Sequence, residues 1–443
     1  LNSYQRRFVT NPQLGCHKCS AAHDPQPMGQ MAKRLWRALH LSAAFALLGL
    51  VFMAGCGGDS GGETGGGGGG GGGLSLSGTV QGGLTGVSDA TVTLYEAGTA
   101  YGAGATSLGT ATTDSRGKFK VKYQPLSSPA LLYVVAADGN GANSAIGLMD
   151  IAGPSNALPE SIVINELTTV AAEWALAQFT DSTGTIIGAP STNATGLTNA
   201  ANQAQANLAD ITTGGPAAFW TTYGINAGTC ASSPPVNCDG LERMNTFANI
   251  LAACVESSGR SSSACTTLLS DTAGASTTAE AAHHLATSPG LTANISDLFA
   301  LQSGSPPYTP ALSVAPDGWE IALNLNPSGA EIFSPRFVAI DGSGDAWVSD
   351  SEGTSLSELT PTGSLIANYD PTGANFDAPR GFAIDSTGNV WATNFFGNSV
   401  TELNSSGGLA GDFNPDGANF TNPTDLAIDQ QAMSGSATSA RAG

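Results

Sequence analysis

The chain has 443 residues, with 58 glycines, only 11% charged side chains and a formal net charge of −20. That length has room for two to four domains, and the acid excess excludes phosphate-neutralising contact with nucleic acid or an anionic membrane surface. The exclusion is firmer beyond position 56, because six of the fifteen basic residues (Arg6, Arg7, Lys18, Lys33, Arg34, Arg37) precede it.

Residues 1–30 carry no apolar periodicity and are expected to be an upstream extension, with translation starting at Met31 or Met28. Cys16 and Cys19 have the spacing of half a zinc knuckle, but no second ligand pair follows at metal-site spacing. From Met31, Lys33, Arg34 and Arg37 precede an apolar run over 41–53. The run is too short for a membrane-spanning helix, which needs about 20 residues. It suits the core of a signal peptide over 31–55. The tail Phe52-Met53-Ala54-Gly55-Cys56 resembles the lipobox of bacterial lipoproteins, with Met53 where Leu is usual. The resemblance implies acylation of Cys56 and, with Gly57 following, an outer-membrane anchor. The implied partner is a lipid bilayer.

Residues 56–73 form a glycine-rich tether containing Gly58-Asp59-Ser60-Gly61-Gly62, the sequence that surrounds the nucleophile of trypsin-like proteases. Polyglycine behaves as a random coil, and a serine nucleophile needs a fixed base and an oxyanion hole. His283 and His284 are the only histidines downstream, so Ser60 is read as leash.

Over 74–157 the apolar residues fall two apart: Leu74, Leu76, Val80; Ala90, Val92, Leu94; Phe119, Val121, Tyr123. That period lines one face of a sheet. Turn signals at Gly82-Gly83, Asp114-Ser115-Arg116-Gly117 and Asp138-Gly139-Asn140-Gly141 divide the runs. The strand Val87 to Leu94 and the Thr113-Asp114 to Phe119 hairpin resemble a carboxypeptidase-regulatory-like β-sandwich, a module that serves as spacer or adhesive unit. Asp114 and Gly117 are read as turn formers.

Over 158–305 the period becomes helical, with Leu167, Val170, Ala171 and Trp174 on one face and Phe247, Ile250, Leu251, Cys254 and Val255 on another. Five or six helices are expected. Cys230, Cys238, Cys254 and Cys265 are an even set, read as two disulfides in an exported domain, with local pairs 230–238 and 254–265 the simplest choice. A metal site with His283 and His284 is the rival, but neighbouring helical side chains point about 100° apart.

The segment 306–429 repeats. Asp341, Asp385 and Asp429 are spaced by 44 residues, as are Pro335/Pro379/Pro423, Trp347/Trp391, Leu359/Leu403 and Pro371/Pro415. A repeat of 40–45 residues with four short strands marks a propeller blade. The copies resemble NHL repeats, in the broad group of streptogramin-lyase-type and lactonase propellers, and the order of segments resembles exported bacterial NHL-repeat proteins. The fold class expected is therefore multidomain and mixed: β-sandwich, disulfide-containing helical domain, then an incomplete propeller of about two and a half blades. Residues 430–443 break the pattern and form an aberrant tail, as in a truncated or frame-shifted sequence.

No catalytic set converges in this sequence, no cofactor or metal is expected, and the repeated aspartates are read as turns. Arg336 and Arg380, just before the inner strands, are candidate ligand contacts near a channel mouth. The functional expectation is an envelope lipoprotein whose propeller is a binding or scaffold platform for a protein or glycan ligand, without catalysis by this chain. The alternatives are a truncated propeller enzyme of the streptogramin-lyase or lactonase type, and a glycan or cell-wall adhesion module.

Overall fold

The structure, a computed structural model, describes residues 73–141, 143–222, 238–290, 293–302, 304–414, 420–428 and 440–442. Expectations for the leader, Cys56, Ser60, Cys230, Pro415 and Asp429 lie outside the described residues.

Eight strands open the described chain: β1 (Leu74–Gly82), β2 (Thr85–Gly86), β3 (Thr91–Glu96), β4 (Thr106–Thr112), β5 (Lys118–Tyr123), β6 (Leu131–Ala137), β7 (Gly147–Pro154) and β8 (Ser161–Ile164). One sheet runs β2-β1-β5 with β8 added parallel to β1; the other runs β4-β3-β6-β7. The sheets enclose Leu76, Val80, Val92, Leu94, Phe119, Val121, Leu132 and Val134, each buried. Full burial of such a side chain stabilises by about 1.5–3 kcal/mol. Leu74 stays outside at 43% exposure, and β8 is drawn from beyond residue 157. In the β5 hairpin, Asp114 Oδ1 accepts from the amides of Arg116 and Lys118 at 2.8 and 2.9 Å. Gly117 takes φ +77°, and a Cβ there would lie 2.2 Å from the Val80 carbonyl, so only glycine closes this turn.

Seven α-helices follow among the described residues: α1 (Glu166–Leu176), α2 (Ala194–Gln203), α3 (Phe219–Thr222), α4 (Cys238–Val255), α5 (Ser263–Asp271), α6 (Thr278–Thr287) and α7 (Ile295–Ala300). The excess over the expected five or six comes from short pieces such as the four-residue α3. A π-turn (Ala204–Leu208) extends α2, and β9 (Ala209–Asp210) pairs with β10 (Gly215–Pro216). Asn165 caps α1 reciprocally with Thr168, which fixes where the helix starts. The two predicted apolar faces meet: Trp174 stacks on Phe247 at 4.6 Å, over a core that includes Val170, Ile250 and Leu251. Cys254 and Cys265 form a disulfide with Cα atoms 4.4 Å apart, tying α4 to α5. The second sheet is not a free-standing module face. Its outer side buries Tyr133, Val135, Met149 and Ile151 against Ala172, Leu176 and Phe179.

An extended stretch then crosses α4, held by side chains that bond its backbone. Asn249 accepts from Tyr308 N at 2.9 Å and donates to Tyr308 O at 2.9 Å. Asn245 donates to Pro310 O, Thr246 accepts from Leu312 N, and Arg243 donates to Gly318 O. Positions 243–249 offer this ladder because residues three and four apart share a helix face.

The repeats form two four-stranded antiparallel sheets. The first is β11 (Pro335–Ile340), β12 (Ala346–Asp350), β13 (Leu356–Leu359) and β14 (Leu365–Tyr369); the second is β15 (Pro379–Ile384), β16 (Val390–Asn394), β17 (Ser399–Leu403) and β18 (Leu409–Phe413). Even irregularities recur, with register shifts at Pro335/Val338 and Pro379/Phe382. The sheets pack as propeller-like blades, with Trp347 and Leu356 of the first against Phe382, Val390 and Leu403 of the second. A third strand system starts at β19 (Leu426–Ile428), whose Leu426 packs on Trp391. β19 pairs with β20 (Ala440–Ala442), which lies in a stretch whose composition carries no strand signal. Three amides one helical turn apart, Asn199, Gln203 and Asn207, donate to the carbonyls of Ser343, Pro361 and Thr362 and fasten the first blade to α2.

Candidate ligand-binding rim of the repeat sheets

The repeated aspartates are turn formers. Asp341 Oδ1 accepts from the amides of Ser343 and Asp345, and Asp385 Oδ1 from those of Thr387 and Asn389. Their second oxygens face the indole Nε1 of Trp347 and Trp391 at 3.4 Å. These bonds close each β-hairpin and orient the buried tryptophan beside it.

Asp341, Asp345 and Glu358 nevertheless place carboxylate oxygens within 4.8 Å of one another. Burial pushes Asp345 and Glu358 up, and the neighbouring aspartates add to the shift. Glu358 takes the Tyr369 hydroxyl at 2.5 Å. In the next repeat Asn389 replaces Asp345 and Phe413 replaces Tyr369, so the equivalent Glu402 is bonded by an amide instead of a hydroxyl. The trio can share a proton or a cation, but its present bonds belong to the hairpin.

The helical histidines bond to separate partners. His283 lies 2.9 Å from Glu173 Oε2, and His284 lies 2.7 Å from the Thr272 carbonyl. Burial pushes Glu173 up to about 7. Burial, the largest single influence, would lower His283, but the hydrogen bond and charge of Glu173 together with the charges of Asp181 and Glu280 hold the imidazole above its ordinary value. A cavity of about 220 Å³ between Leu131, Pro154, Ala201 and Gln205 has no charged lining residue.

Arg336 and Arg380 are the only basic residues between positions 306 and 429, a stretch rich in acids. The β-sheet packing brings them together. Ser349 donates to the Arg380 carbonyl at 2.8 Å and accepts from the Phe337 amide at 3.2 Å, bridging the two inner strands beside both arginines. Burial and the facing Arg336 charge hold Arg380 below the ordinary arginine value. Its guanidinium carbon stands 3.2 Å from the centre of the Phe395 ring, and its Nε is buried without a partner. Among the described residues neither arginine forms an ion pair.

Sequence reasoning singled out the two arginines but missed their aromatic shelf. Phe395 and Phe396 sit edge to face at 4.8 Å, with Phe396 59% exposed. Their amides donate to the Ala378 and Asp377 carbonyls, and Asn422 donates to the Phe395 carbonyl at 3.1 Å. The signal was available in the repeat itself: Phe395 and Phe396 stand where the preceding copy has Ser351 and Glu352.

No protein-family model matches the chain, and no curated protein does. Among solved structures it is similar to a streptogramin B lyase at 17% identity, covering 20% of this chain and 28% of that one with TM-score 0.18. It is similar to virginiamycin B lyase from Staphylococcus aureus at 16% identity, covering 21% and 30% with TM-score 0.19. A protein of unknown function from Bacteroides caccae is similar at 16% identity, covering 22% and 36% with TM-score 0.20. The chain thus spans about a third of the length of these proteins, and at such TM-scores none of them bears on what it does. No described helix is long and apolar enough to cross a membrane.

Proposed function

We propose that the chain is an envelope protein, anchored through acylated Cys56, whose NHL-type repeat sheets act as a binding and scaffold platform. One observation carries the platform reading. Val338 and Ile340 are 65% and 61% exposed on β11, whereas Phe382, at the same place in the next repeat, is 8% exposed under the first blade. The same sheet face is therefore covered once and presented once, and a contiguous exposed apolar face is a surface for a partner.

The enzyme reading draws on the Asp341/Asp345/Glu358 trio, where three carboxylates converge. Their engagement in the hairpin and with Tyr369 favours the platform. A photo-crosslinker at position 338 of the full chain in cells tests this. A discrete adduct that Ile340→Lys removes supports the platform. Divalent-metal-dependent turnover of lactones or cyclic depsipeptides by the purified chain overturns it. Radiolabelled palmitate, incorporated by the chain and not by its Cys56→Ala variant, tests the anchor.

A further inference from the structure

We propose that Arg336 and Arg380 form a clamp for a carboxylate carried on a ring, with the ring lying on Phe396. The inference goes beyond the platform reading and uses other side chains, Arg336 of the same strand β11 and Arg380 and Phe396 of the next repeat. Like charges repel, so two neighbouring guanidinium groups without an acidic partner are unfavourable unless an anion joins them. In a segment this acidic, both had carboxylates to choose from, yet neither is paired among the described residues. Asp350, which precedes the aromatic-equivalent positions of the first blade, gives its oxygens to the amides of Phe333, Ser334 and Glu352.

Chemistry selects the anion. A guanidinium presents donors in a planar fork that matches a carboxylate. Phe395 lies under Arg380, which holds that group in place, and Phe396 offers its ring to solvent one aromatic contact away. In the second repeat an apolar ring stands where the first has Glu352. The exchange removes a repelling acid and supplies a flat surface for a pyranose or aromatic ring. The net charge of −20 disfavours a polyanion. A single carboxylate is less affected, because charges beyond about 8 Å are screened at physiological salt. Uronic acids and aromatic acids share this chemistry.

Calorimetric titration of the full chain decides it, with galacturonate, phenylacetate, their methyl esters, acetate and inorganic phosphate as probes. Binding of either acid, with its ester at least tenfold weaker, is expected. Arg336→Gln, a change at an exposed side chain, and Arg380→Gln should each weaken it at least tenfold. Arg380→Lys should give an intermediate loss, and Phe396→Ala should weaken the ring acids while leaving acetate unchanged. Galacturonate alone binding identifies a glycan source, and phenylacetate alone an aromatic one. No binding at millimolar concentration, esters binding as well as acids, phosphate binding as well as the ring acids, or indifference to Arg336→Gln overturns the clamp. None of these results alters the outcome of crosslinking at position 338.

Discussion

Asn389 donates from Nδ2 to Glu402 Oε1 at 3.2 Å, whereas Asp345, its counterpart one repeat earlier, stands beside Glu358 as a second carboxylate. The two blades thus solve one position in two ways. The first holds crowded charge, with both acids raised by burial and by their neighbours. The second holds a hydrogen bond.

Asp345→Asn should therefore stabilise the first blade. A raised folded-state value means that the carboxylate favours folding least once it is ionised, so the gain belongs to neutral pH. Replacing the repulsion by a hydrogen bond is expected to add about 0.5–1.5 kcal/mol. Thermal melts should show the gain at pH 7 and its disappearance near pH 3, where the acids are protonated. A lower melting temperature for the variant at pH 7 would show that Asp345 has a stabilising task at this place.

Stability should fall as pH rises from about 4.5 to 7. Burial pushes Glu166 and Glu173 up to about 7, although Glu166 accepts the Tyr308 hydroxyl at 2.6 Å and the Gly83 amide at 3.1 Å. The folded chain thus binds more protons than the unfolded one across that window. Each glutamate contributes up to about 3 kcal/mol of the loss. Glu166→Gln keeps an acceptor for Tyr308 and should flatten the slope of unfolding free energy against pH. An unchanged slope would remove Glu166 from the account.

Asn249→Ala should loosen the stretch that crosses α4. It deletes a buried amide bonded to both the N–H and the carbonyl of Tyr308. Leaving those groups without partners costs about 2–4 kcal/mol. Hydrogen exchange should speed up at the Tyr308 amide before it does so in the β-sandwich strands. Uniform exchange throughout would mean that the stretch and the strands unfold together.

Replacing Cys254 and Cys265 together by alanine removes a cross-link between positions 11 apart. Loss of a loop of this size is expected to cost about 2–3 kcal/mol. The fall in melting temperature on adding reductant should be larger for the native chain than for the double variant, which keeps Cys230 and Cys238.

Much of the architecture was legible because it is local. Alternation at Val92 and Leu94, helical spacing at Leu167 and Val170, and the 44-residue interval from Trp347 to Trp391 each reflect a backbone period. All these side chains are buried in the structure. What the sequence concealed is long-range. Glu173 and His283 lie on separate helices and meet at 2.9 Å. Asp345 and Glu358 come together only because β12 and β13 pair in register.

By itself the sequence determined the periods, the turn chemistry at Asp341 and Asp385, and the position of one arginine at the same step of each of two repeats. Backbone geometry repeats over a few residues, so these features need no knowledge of the whole fold. Only the tertiary structure decided that Arg336 and Arg380 are neighbours, that Phe395 lies beneath one of them, and that Val338 is exposed where Phe382 is covered. Charge and burial depend on which surfaces pack, and that is set by contacts between residues far apart in the chain.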